Sequence, residues 1–79
     1  MKKTHFRIIE LENYQVLLTK DFDNENEYAP VLSLTFFLDG VKIIQSMGYS
    51  DEEKRDKMFL DFTDESGQNI VNSTISMLN

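Results

Sequence analysis

Carboxylates alternate through Asp21, Asp23, Glu25 and Glu27 in the stretch DFDNENEYAP. Hard cations are held by clustered oxygens, so calcium binding is the first chemistry this spacing suggests. Counted from Asp21, a calcium-binding EF-hand loop would need Gly at its sixth position and a bidentate Glu at its twelfth. The chain has Asn26 and Leu32 there. A polar, solvated loop over Asp21–Pro30 is the better reading, and no metal site is expected.

The single histidine, His5, sits with Lys2, Lys3 and Arg7 in a basic cluster on an acidic background. Neither a nucleophile nor a second ligand accompanies it, so a solvated, frayed terminus over residues 1–5 is expected. There is no cysteine. Disulfides, thiolate catalysis and Cys-ligated zinc drop out together, and a reducing, cytoplasmic setting is the expectation. Among the 14 acidic residues, only Asp61, between Leu60 and Phe62, has the apolar neighbours that favour acid–base work. On a helix, successive side chains point about 100° apart, which turns Asp61 to water. Gly40, Gly48 and Gly67 lack the spacing of a phosphate loop or dinucleotide fingerprint. A non-enzymatic protein without cofactor or small-molecule ligand is therefore expected; the alternative of a small enzyme would need a concave pocket holding at least two titratable groups with shifted pKa values.

The net charge of −6 disfavours binding to a nucleic-acid backbone. It allows a different role, in which the acids at 21, 23, 25, 27 and 51–53 imitate nucleic acid on a basic protein groove, as inhibitors carried by mobile elements do. Arg7, Glu10 and Glu12 interrupt the first apolar residues, so no signal peptide is read. No apolar run exceeds three residues, as in Phe36–Leu38, far too short to span a membrane. Asn72-Ser73-Thr74 fits a glycosylation acceptor, which has no meaning without a secretory route.

The elements that would position any site are clearer. Asp39-Gly40 between two apolar runs is a strong hairpin signal, because a type I′ turn needs two residues at positive φ. Pairing outward from it places Leu32, Leu34, Phe36 and Leu38 with Met47, Gln45, Ile43 and Val41 on one face. The other face carries Ser33, Thr35 and Phe37 with Ser46, Ile44 and Lys42. The two strands are expected at Val31–Leu38 and Val41–Gly48. Two earlier strands are expected at Phe6–Leu11 and Tyr14–Asp21, turning at Glu12-Asn13. That register opposes Ile9 with Val16 and Ile8 with Leu17. Apolar residues then fall on both faces, implying either a bulge or a second face partly covered.

Ser50 and Glu53 have capping-box spacing, so a helix is expected from Ser50 with Arg55, Met58, Phe59 and Phe62 along one stripe. A rival reading makes Met58–Phe62 a fifth strand. Thr63-Asp64-Glu65 opens a second helix, with Ile70, Val71, Thr74, Ile75 and Leu78 at helical spacing. The expected fold is one α+β domain over residues 1–79: a four-stranded antiparallel meander followed by two C-terminal helices packed on one face. The expected core sets Leu32, Leu34, Phe36, Leu38, Val41, Ile43 and Met47 against Met58, Phe59, Phe62, Ile70, Val71, Ile75 and Leu78.

Phe6, Ile8, Leu17, Phe37 and Ile44 are left for the second face of the sheet. A patch of that kind exceeds what a small monomer normally shows and is the expected interaction surface. The expected partner is another protein or, because so short a chain has a small core of its own, a second copy in a homodimer.

Overall fold

Asp39 and Gly40 have φ of 51° and 80°, the consecutive left-handed pair that a type I′ turn requires. The computed structural model describes residues 5–78. Four strands run in sequence order across one antiparallel sheet: β1 (Phe6–Glu10), β2 (Gln15–Asp23), β3 (Ala29–Leu38) and β4 (Val41–Gly48). Helices α1 (Glu52–Asp61) and α2 (Asp64–Leu78) follow. The α+β meander with two C-terminal helices is therefore the observed fold. The helical state of Glu52–Asp61 removes the fifth-strand reading of Met58–Phe62.

The hairpin register matches expectation, from Leu38↔Val41 through Phe36↔Ile43 to Leu32↔Met47. The first pair also matches, with Ile9↔Val16 and Ile8↔Leu17, and Leu11 N–H closes its turn on the Tyr14 carbonyl at 2.8 Å. No bulge interrupts this ladder. The apolar residues of both faces are thus explained by the sheet itself and not by a change of facing. The sheet starts at Phe6, as expected, and ends its first strand one residue sooner, at Glu10. The His5 carbonyl accepts from Lys20 N–H at 2.9 Å, so residue 5 is tied to β2 and not frayed. Lys2 and Lys3 lie outside the described residues.

Half of the loop expected over Asp21–Pro30 is strand. The β2–β3 ladder continues through Asp21↔Val31 and Phe22↔Pro30 to Asp23↔Ala29. Only Asn24–Tyr28 turn the chain, helped by a Glu25 N–H bond to the Asp23 carboxylate at 3.0 Å and by left-handed Glu27 and Tyr28. Pro30 is accommodated because only its carbonyl is needed, and that accepts from Tyr49 N–H at 2.9 Å.

Helix α1 is capped by Asp51, which is extended and accepts from Lys54 N–H at 2.8 Å. This corrects the expected cap at Ser50. The carboxylate of Asp51 has the same reach one residue later, and it adds negative charge at the positive end of the helix dipole. Asp51→Ala should cost about 1 kcal/mol, and Ser50→Ala much less. Urea denaturation of the two variants measures the difference directly. Helix α2 begins with Thr63 accepting from Ser66 N–H at 3.1 Å.

Both helices lie on one face of the sheet. The core there is Ile9, Val16, Leu18, Leu32, Leu34, Phe36, Phe59, Phe62 and Val71. The expected layer is corrected at its margins: Val41, Met58 and Leu78 are exposed and Leu38 is only half-buried. Val41 and Leu38 sit at the hairpin tip, and Leu78 is in the last turn of α2. The space is filled instead by Ile9, Val16 and Leu18, whose strands α1 and α2 cross.

Two arginines fasten the helix layer. Arg7 Nη1 donates to the carbonyls of Phe59 (2.6 Å) and Phe62 (3.1 Å) at the end of α1. Helix α1 has no basic residue in its own last turn, so a cation from β1 satisfies these carbonyls and the negative end of the dipole. Arg55, expected at the edge of the helical stripe, is instead buried. Its Nη1 donates to the Asp21 carbonyl at 2.6 Å, its Nε and Nη2 meet Asp56 Oδ1 at 3.0 Å, and its guanidinium lies 4.8 Å from the Phe22 ring. The basic cluster expected around His5 is thereby broken up, because Arg7 points into the molecule.

Candidate interaction face

Strand side chains alternate between faces, so the registers fix which residues share the side away from the helices. One row crosses all four strands as Ile8, Leu17, Thr35 and Ile44. The adjacent row is Phe6, Thr19, Ser33 and Ser46. On the other side of the first row lie Glu10 and Gln15 on β1 and β2, and Phe37 and Lys42 on β3 and β4. All five residues named from sequence therefore share one face. Their exposure is large: Phe6 56%, Ile8 54%, Leu17 37%, Phe37 62% and Ile44 56%.

The face is divided. Ile8, Gln15, Leu17, Thr35 and Phe37 line a shallow, largely apolar hollow of about 260 Å³. Gln15 is held beside it by a 2.7 Å bond from its amide to Glu10. Toward the β2–β3 turn the surface becomes polar. Ser33 and Ser46 hydroxyls lie 3.2 Å apart, and a second hollow of about 410 Å³ is lined by Asp21, Phe22, Asp23, Asn24, Val31, Ser33 and Ser46.

Carboxylates gather at that same end. Tyr49 bonds to Pro30, and Arg55 to Asp21, which places the start of α1 beside the β2–β3 turn. Eight of the 14 acids (Asp21, Asp23, Glu25, Glu27, Asp51, Glu52, Glu53 and Asp56) therefore belong to one end of the molecule. Among the described residues, no three His, Asp or Glu side chains converge as cation ligands. Two nearby cations are used internally: Arg55 as described, and Lys20, whose ammonium stands 5.0 Å from the Phe59 ring. Asp61 is exposed, as helical geometry implies.

Phe22 and Tyr28 were not read from sequence as surface aromatics, yet they are 44% and 67% exposed. Extending the alternation of Val16, Leu18 and Lys20 by one step would have placed Phe22 under α1. Burial pushes the Tyr49 hydroxyl above its ordinary pKa. Tyr49 packs at the edge of the core and belongs to neither hollow.

No family model matches the chain, and neither curated proteins nor solved structures give a match. No helix among the described residues is long and apolar enough to cross a membrane. The class that can be stated is structural: a two-layer α+β domain with one sheet face covered by helices and the other open.

Proposed function

We propose that this chain is a non-enzymatic protein-interaction module of the reducing cytoplasm, and that it binds through the open face of its sheet. The observation that carries the reading is the unbroken register that sets Ile8, Leu17 and Ile44 in one exposed row, flanked by Phe6 and Phe37. Exposed aliphatic side chains on a rigid sheet cost little ordering entropy on binding, so their burial is returned as affinity. The hollow beside Leu17 and Phe37 is the place for an apolar anchor from a partner.

The test uses affinity capture from host lysate with the wild-type chain, Ile8→Asp and Phe37→Asp. A specific partner captured by the wild type should lose at least tenfold in affinity to either variant, while their melting temperatures stay within a few degrees. Capture that is unchanged by both substitutions would remove the open face as the binding surface.

A second reading has its own observation, the gathering of eight carboxylates at one end with Arg55 turned inward, against which stand Lys54 and Lys57, exposed among the acids of α1. It makes the chain an acidic mimic of a nucleic-acid backbone for a basic groove. In that case capture would fall steeply with salt and would be indifferent to Ile8 and Phe37.

A further inference from the structure

We propose that a second copy of this chain pairs antiparallel along the free edge of β4, joining the two sheets into one of eight strands. This deepens the reading of the chain as an interaction module by naming a partner. It stands on the strand edge, a different surface from the open face.

The phase of the ladder determines which groups β4 leaves free. Leu38 and Val41 flank a two-residue turn, and Tyr49 N–H bonds to the Pro30 carbonyl at the other end. The odd-numbered residues of β4 therefore exchange main-chain bonds with β3. The N–H and C=O groups of Lys42, Ile44, Ser46 and Gly48 point away from the sheet. Edge strands are normally short, bulged, interrupted by Pro, charged or covered. β4 has eight residues, with no bulge in its pairing to β3, no Pro and one charge, and none of its residues is buried. β1, the other edge, is five residues long, and the residues before His5 lie outside the described range.

The edge is complementary to itself. A two-fold axis at Ile44 opposes Ile44 to its own copy, Lys42 to Ser46 and Val41 to Met47. The only charge on the strand then meets a hydroxyl, Ile44 and the Val41–Met47 pair put apolar groups together, and Ile43 meets Gln45. The helix layer contributes as well. Gly67 lies against Ile9 of β1, whereas Gln45 of β4 donates to the Thr74 hydroxyl at 3.2 Å. Helix α2 thus runs from β1 toward β4, and its last turn follows Thr74 on that side of the molecule. Met77 and Leu78 are 80% and 60% exposed there, on the same side as Val41 at 60%.

The area suffices. Eight residues of strand give a strip about 27 Å long, and the molecule is 18 Å through its thinnest direction. Each copy would cover roughly 500 Å², about 1,000 Å² in total, where specific interfaces begin.

Light scattering on the full chain over a concentration series should give twice the 9.3 kDa mass. Ser46→Pro removes an N–H that points away from β3, so this variant should keep its circular dichroism and read as a monomer. Since the chain has no cysteine, a single introduced thiol reports the register. Ile44→Cys should oxidise to a covalent dimer. Ser46→Cys should not, because its copies would stand about 13 Å apart. Hydrogen exchange on the unmodified chain gives a readout that no folding defect can confuse: the amides of Lys42, Ile44, Ser46 and Gly48 should gain protection as concentration rises. A wild-type monomer at all concentrations overturns the proposal. So does a dimer in which those four amides stay unprotected, or one dissolved by Ile8→Asp instead of by Ser46→Pro. The first of these two outcomes leaves the reading of the open face untouched, and the second supports it with a second copy as the partner.

Discussion

Phe36→Ala should destabilise the domain by about 3–5 kcal/mol, the range for truncating a fully buried aromatic. Phe36 is 1% exposed near the hairpin end of β3, opposite Ile43, with the Tyr14 ring edge-on at 6.1 Å and 78°. Ala would leave a cavity that neighbours on a hydrogen-bonded sheet cannot collapse into. A domain of this length has only about 4–12 kcal/mol in total, so the variant should be largely unfolded at 37 °C or melt at least 12 °C lower. Val41→Ala makes the contrast. Sequence alternation puts both residues on the same face, but Val41 is 60% exposed, and its truncation should cost less than about 0.5 kcal/mol. Equal losses in a pair of thermal melts would mean that the helices cover the hairpin tip and that this packing is misplaced.

That contrast shows where a sequence can and cannot speak for this fold. Strand pairing was legible because local chemistry determines it. Asp39-Gly40 supplies the turn, and every pair from Leu38↔Val41 outward follows by counting. The extent of burial was not legible, because it depends on where two helices come to rest. β1 and β2 carry apolar residues on both faces. Nothing in Ile8, Leu17, Ile9 or Val16 alone says which pair the helices will cover, and Arg7 in the middle of the covered face disguises it. The helix cap shifted by one residue for a similar reason: Ser50 and Asp51 are both good caps, and the choice rests on the path from Tyr49.

The candidate face was legible to the same degree as the strand registers. Phe6, Ile8, Leu17, Phe37 and Ile44 fall together by alternation, and both helices settle on the opposite side. The grouping of the acids at 21–27 with those at 51–53 was an expectation without a geometric cause, because the strand extension that brings them to one end was concealed by the polar composition of Asp21–Pro30. Alternating Asp and Phe in that stretch reads as loop by composition and as strand by period. The period prevailed because β3 offered an unbroken ladder as far as Ala29.

Arg55→Met should cost about 2–4 kcal/mol, although the position is a charged residue on an acidic, exposed-looking helix. Three interactions are lost together. The Asp21 carbonyl loses a charged donor at 2.6 Å, Phe22 loses the guanidinium over its ring, and Asp56 loses its ion pair. The last should matter least, since the Asp56 side chain is 44% exposed and water can replace the cation. Met retains most of the stem's packing, so what is measured is chiefly the head group. Asp56→Asn alone should therefore cost below about 1 kcal/mol. In the double variant it should add little to the loss from Arg55→Met, because the two changes share one contact. Arg55→Lys should recover only part of the loss, as an ammonium cannot reach the Asp21 carbonyl, Asp56 and the Phe22 ring in one plane. Raising the salt concentration should leave the cost of Arg55→Met almost unchanged, because the guanidinium is buried between β2 and α1. A cost that vanished in high salt, or that Asp56→Asn alone reproduced, would make Arg55 a surface ion pair and not the fastening between the helix layer and the strand that carries Asp21.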